Sequence, residues 1–221
     1  MRSKCDDRVR KQYETKKSEI HRELEEFRRL GKEGSREDLF AELAYCICTP
    51  QSYFENCQSA LEELRQKDLL YSWDEDVIAF YYNKNGVRFH HKKASYTVQA
   101  RARLYDSGCP HEIKGLVLQL LSLSQQEARD YLWRLNIRGL GMKETSHFLR
   151  NVGHGDDLAL LDSHIIDKLV ECGVLTSCPS NSEISGSYEI IENKMREWAN
   201  DLGISLGELD LLLWSNETGA M

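Results

Sequence analysis

Apolar residues recur three and four apart along nearly the whole chain, the period of helices packed on one face. Tyr13, Ile20, Leu24 and Phe27 form the first such face, and Gly31 is expected to end that helix. Ser35 then stands as an N-cap with Asp38 at the third helical position. The stripe Leu39, Phe40, Leu43, Ala44 and Ile47 follows. Thr49 and Pro50 mark a turn, because proline disfavours helix at the residue before it. Residues 54–64 and 87–104 read as further amphipathic helices. Ser107 and Gly108 close the second of these, and EIKGLVLQLLSL restarts the helix after Pro110. Ser124 with Glu127 makes a capping box for a helix that turns Ala128, Tyr131, Leu132 and Leu135 inward. Tyr188, Ile191, Met195, Trp198 and Leu202 repeat the spacing, and Ser205 with Glu208 forms a second box before LDLLLW. With no alternating strand pattern and no internal repeat, the prediction is an all-α fold of about ten helices.

Composition fits that picture. Among 221 residues, 41% are hydrophobic and 29% charged, ordinary for a globular protein with a sizeable core, and only three are proline. No run approaches the roughly 18 apolar residues that span a bilayer. The opening MRSKCDDRVRKQYETKK lacks the apolar stretch of a secretory signal, so an intracellular protein with no membrane association is expected. The seven cysteines, Cys5, Cys46, Cys48, Cys57, Cys109, Cys172 and Cys178, are odd in number and scattered, which argues against a disulfide framework. Nothing near Cys172 and Cys178 completes a four-cysteine metal or iron–sulfur set, so no metal is assigned. The net charge of −7 is unusual for a nucleic-acid binder, which normally presents a basic face. Base is nevertheless concentrated in KNGVRFHHKKASYTVQARAR, around Arg88, Lys92 and Lys93 with aromatics interleaved. Such a run is either a strand-contacting surface or a solvated helix face.

The most informative stretch is YLWRLNIRGLGMKETSHFLRNVG, residues 131–153. A capped helix is expected to run to about Asn136. The short hairpin Ile137, Arg138, Gly139, Leu140, Gly141 follows, and a second helix starts near Met142. Gly139 and Gly141 let the backbone turn sharply and approach a ligand. The first N–H groups of the second helix have no partner within it and carry the positive end of its dipole, a natural seat for a DNA phosphate. Lys143 sits just beyond, in a first turn where a cation opposes the dipole; the alternative is a lysine facing solvent. Asp162, in DDLALLDSHIIDKL, follows an apolar run and precedes an amphipathic one, so it is a credible N-cap whose other oxygen can face a site.

These motifs resemble the helix-hairpin-helix DNA glycosylase superfamily, and IRGLGMKETSHFLRNVG followed by LALLDSHI resembles its archaeal-type 8-oxoguanine DNA glycosylase/AP lyases. FAELAYCICTPQS, GVRFHHKKASYTVQAR and ELDLLLWSNETG extend the similarity over most of residues 36–217. The resemblance implies a two-lobed fold with a central cleft. It places a helical barrel at 52–162, with the helix-hairpin-helix at about 125–151, and a second lobe from 1–51 plus 163–221. It also implies a monomer acting on double-stranded DNA that contains a damaged base, with no cofactor. Lys143 would be the nucleophile and Asp162 its partner carboxylate. Phe89 and Trp214 would sandwich the flipped base, and Gln51 would probe the vacated duplex. Gly139, Gly141, Met142, Arg88, Lys92 and Lys93 would meet the strand. The alternatives are a glycosylase/lyase for another oxidised base and a non-catalytic hairpin module, which needs neither Lys143 nor Asp162. Two departures bear on the substrate: Ser163 replaces the basic residue of the family pattern, and the chain ends in TGAM rather than a basic terminus.

Overall fold

The computed structural model describes residues 2–106, 108 and 111–218; Met1, Ser107, Cys109, Pro110 and the terminal Gly219, Ala220 and Met221 lie outside the described residues. Within the described residues the chain forms twelve helices and no strand. The first is α1 (Arg2–Glu33), which buries Val9, Tyr13, Ile20 and Leu24 along one face. Gly31 does not end it. A Cβ there would collide with the Val152 carbonyl, so this glycine allows a close helix crossing.

The capping box of Ser35 and Asp38 opens α2 (Arg36–Cys48) as expected. The helix buries its predicted stripe together with Ala41, Cys46 and Cys48, so it is enclosed on nearly every side. Next come α3 (Phe54–Gln66), α4 (Glu75–Lys84), which the apolar pattern had not marked, and α5 (His90–Leu104). The last begins three residues later than the periodicity suggested, because Phe89 takes the left-handed conformation at φ 57° and breaks the helix. After α6 (Ile113–Leu121), the Ser124–Glu127 box starts α7 (Gln125–Arg134), and the hairpin leads into α8 (Met142–Asn151). The remaining helices are α9 (Ser163–Glu171), α10 (Asn181–Gly186), α11 (Tyr188–Leu202) and α12 (Leu206–Thr218).

Buried residues fall into two clusters. One joins α2 through α8, from Leu39 to Leu158. The other joins α1 to Ala159, Leu161 and the helices that follow. Thus α2 packs with the middle helices, while α1 packs with the later ones. Each fully buried Leu, Ile or Phe in these clusters contributes about 1.5–3 kcal/mol. Cys5 and Cys172 are disulfide-bonded, with Cα atoms 5.5 Å apart, which corrects the expectation from cysteine spacing. The fold brings α1 onto the end of α9, a proximity that spacing along the chain does not reveal. Cys46, Cys48 and Cys57 are free and buried, and Cys178 is exposed.

Candidate active site

A cleft of about 600 Å³ opens where the two clusters meet, and both Lys143 and Asp162 line it. The hairpin between α7 and α8 is anchored by buried Ile137 and Leu140, while Arg138 stays exposed. Gly139 adopts φ +91°, and a Cβ there would come within 2.9 Å of the Tyr96 ring and 3.1 Å of Ile47. Glycine is required both for the conformation and for the fit. Glu144, at the third position of α8, accepts the Gly141 N–H at 3.1 Å, and its other oxygen lies 3.1 Å from Lys143 Nζ. The lysine therefore sits in the first turn of the helix with its charge balanced by the capping carboxylate.

Asp162 is the N-cap of α9, its Oδ1 accepting the Ile165 N–H at 2.8 Å. The segment before it is fixed amide by amide. Ala159 N donates to Glu192 at 2.9 Å, Leu160 N to Asp210 at 2.7 Å and Leu161 N to the Tyr188 hydroxyl at 3.2 Å. The Tyr188 hydroxyl in turn donates to the Ala159 carbonyl at 2.7 Å. Buried Glu192 is held by Arg129 at 2.6 Å, and buried Asp210 by Arg150 at 2.9 Å. Burial pushes the Asp210 carboxyl up to about 6, against the opposing pull of Arg150. Thus α11 and α12 position the Asp162 carboxylate, which shares the cleft with Lys143.

His147 lies one turn below Lys143, buried and edge-on to Tyr45 with ring centroids 5.7 Å apart. Burial, with Arg150 and Lys143 nearby, drives its imidazole well below the ordinary range, so it is neutral. It also lines the cleft.

The family model described as 8-oxoguanine DNA glycosylase matches residues 20–204. The chain belongs to this family. It is 36% identical over 216 residues to an 8-oxoguanine DNA glycosylase/AP lyase of Fusobacterium nucleatum, covering 96% of this chain and 95% of the relative. A Saccharolobus solfataricus protein of the same name is 37% identical, covering 90% of each chain. Among solved structures, the 8-oxoguanine DNA glycosylase of Thermotoga maritima superposes with a TM-score of 0.85 at 30% identity, covering 100% of this chain and 99% of that one. The Methanocaldococcus jannaschii 8-oxoguanine glycosylase/lyase, in complex with a 15mer DNA containing 8-oxoguanine, gives 0.78 at 31% identity, covering 96% and 98%.

Within this glycosylase-family chain the other expected residues separate. Trp214 lines the cleft, but the ring against it is Phe54, edge-on at 5.3 Å between centroids. Phe89, expected opposite Trp214, is 52% exposed and outside the cleft lining, with the Arg88 guanidinium 5.4 Å from its ring centroid. Its left-handed backbone starts α5 with the ring on the open surface. Gln51 is exposed at φ 56°, in the loop beside the cleft residues Thr49, Ser52 and Tyr53. Arg88 and Lys92 are exposed, and Lys92 lies over Tyr96, the ring that packs on Gly139. Lys93 does not join them. It is buried, and its ammonium donates to the Cys48 carbonyl, to the Pro50 carbonyl at 2.7 Å and to Ser52 Oγ at 2.8 Å, leaving no donor for a phosphate. Met142 packs partly into the C-terminal cluster. Sequence reasoning missed Phe54, Glu42 and Glu144, of which only Glu144 carried a local signal, as a carboxylate at the third position of a helix.

Proposed function

We propose that this protein is a bifunctional DNA glycosylase/AP lyase of base excision repair that removes 8-oxoguanine and nicks the strand by β-elimination. The observation that carries the reading is the convergence of Lys143 and Asp162 on one cleft, beside a helix-hairpin-helix turn that leads into the N-terminus of α8. The glycosidic carbon is out of reach inside a stacked duplex, so the target nucleotide must swing into the cleft. Trp214 and Phe54 form the aromatic wall against which the base packs, and Gln51 fills the space it vacates. The Lys143 amine, released from Glu144, attacks C1′; the C1′–N bond to the base breaks as the new C–N bond forms, and the base leaves with that electron pair and takes up a proton. Asp162 accepts the amine's proton and stabilises positive charge developing on the sugar. The C1′–O4′ bond then opens, O4′ taking a proton, which leaves a Schiff base at C1′; this acidifies the 2′ position, and loss of that proton expels the 3′ phosphate.

Gly139, Gly141 and the first turn of α8 hold the strand, with Arg88 and Lys92 on the same approach. Lys143 and Asp162 both come from one chain, which supports action as a monomer inside the cell where the DNA lies. No helix among the described residues is long and apolar enough to cross a membrane.

The test is product analysis on a duplex carrying one 8-oxoguanine, measuring released base and the 3′ end together. The free base and a β-eliminated 3′ end are expected, and Asp162→Asn should slow both about 100-fold. Base release with an intact strand would remove the lyase from this account.

A further inference from the structure

A polar chain along the cleft ends at Glu42, a residue the chemistry at C1′ does not use. Glu42, on α2, accepts from Asn151 Nδ2 at 2.6 Å. Asn151 accepts from Arg150 Nε at 3.1 Å, and Arg150 pairs with Asp210, which holds the Leu160 amide two residues before Asp162. All of these residues line the same cleft as Lys143. Asn151 lies about 12 Å further along the α8 axis than Lys143, at 1.5 Å per residue. Glu42 is therefore set well below the point where C1′ is attacked, on the side where the far edge of a flipped purine would come to rest.

Both bonds to Glu42 among the described residues, from Asn151 and a weak one from Cys46 Sγ at 3.9 Å, fall on Oε1. Oε2 is left as the acceptor for whatever enters. Glu23, on α1, also lines the cleft and helps raise the Glu42 carboxyl, and the other three carboxylates are placed differently. Asp162 caps α9 at the mouth, and Asp210 has both oxygens engaged. Glu62 is exposed and takes a bond from Gln58. Glu42 is both open to the cavity and braced from behind. Burial pushes its carboxyl above the ordinary range, with the Asn151 bond and Arg150 opposing, so a donor arriving at Oε2 meets an acceptor with little water to displace.

We propose that Glu42 is the specificity-determining acceptor of the cleft, its Oε2 taking the N1–H and 2-amino donors of a flipped guanine-type base. The assignment rests on the glycosylase reading above. An adenine-type edge presents an acceptor at N1 and has no 2-amino group, so the same carboxylate repels it.

Glu42→Gln tests this without changing shape. The amide oxygen keeps the Asn151 bond and the amide NH2 replaces Oε2, setting donor against donor. Release of base is measured for wild type and variant on duplexes with one 8-oxoguanine or one 8-oxoadenine, with borohydride trapping on a preformed abasic site as the measure of an intact fold and nucleophile. The variant should release 8-oxoguanine about 10–100-fold more slowly, while release of 8-oxoadenine holds or rises and abasic trapping changes far less. Equal losses on the two bases would overturn the proposal and leave Glu42 as a brace between α2 and α8. Wild type that traps abasic DNA but releases no 8-oxoguanine would overturn the substrate reading itself, and the guanine-edge role with it.

Discussion

On the open face of α5, Lys92 holds its ammonium 5.7 Å over the Tyr96 ring, while Lys93 points into the protein and ties down the loop that carries Gln51. Lys92→Ala should therefore lower the slope of log affinity against log salt by about one and leave thermal stability unchanged. Lys93→Met should do the reverse, costing about 1–3 kcal/mol as the Cys48 and Pro50 carbonyls lose their donor. Duplex titrations at several salt concentrations, beside thermal melts, read both effects; equal slope losses would contradict the assignment. The two lysines look alike in a basic run, but helical phase distinguishes them: Lys93 shares the buried face of Thr97, Ala100 and Leu104. The hairpin and Lys143 were legible because glycine conformation and a first-turn cation are local properties. Phe54 and Glu42 were not, because the cleft wall they form is assembled from α2, α3, α8 and α12, and no spacing within one helix reports it.

Among the elements, the connection from α8 to α9 carries Asp162, the proposed partner of Lys143. It has no regular structure, yet Glu192, Asp210 and Tyr188 satisfy its amides in turn, so Asp162 is carried on a rigid arm. Tyr188→Phe removes one hydroxyl that serves both the Leu161 amide and the Ala159 carbonyl. It should cost about 1–2 kcal/mol in stability. Because the change loosens the carboxylate and not the DNA surface, it should lower kcat more than it raises KM. An unchanged kcat would show that the arm does not depend on this bond. The capping boxes at Ser35, Ser124 and Ser205 were readable from sequence, each being a serine followed three residues later by a carboxylate. The start of α5 was not, because a left-handed phenylalanine leaves no mark on apolar periodicity.

At the scale of the molecule, α1 and α12 are joined through Glu208, which accepts from Tyr13 at 2.8 Å, from His21 at 2.7 Å and from the Ser205 amide at 2.7 Å. Burial alone would raise this carboxyl, but those donors outweigh it and hold it at about 2, below its ordinary 4.5. A depressed carboxyl stabilises the fold above its unfolded value, and that stability is lost as pH falls from about 4.5 toward 2. Glu208→Gln should flatten stability against pH in that window, as read by denaturant titrations at stepped pH; an unchanged slope would assign the acid response to other groups. The same packing of two clusters puts Lys143, on the α8 of one, and Asp162, at the head of α9 in the other, on one cleft. The claim that this lysine attacks the sugar is tested most directly by borohydride trapping on a duplex with one 8-oxoguanine. Wild type should form a covalent protein–DNA adduct, and Lys143→Gln, folded by its melt, should form none. A persisting adduct in Lys143→Gln would place the nucleophile elsewhere and contradict the account.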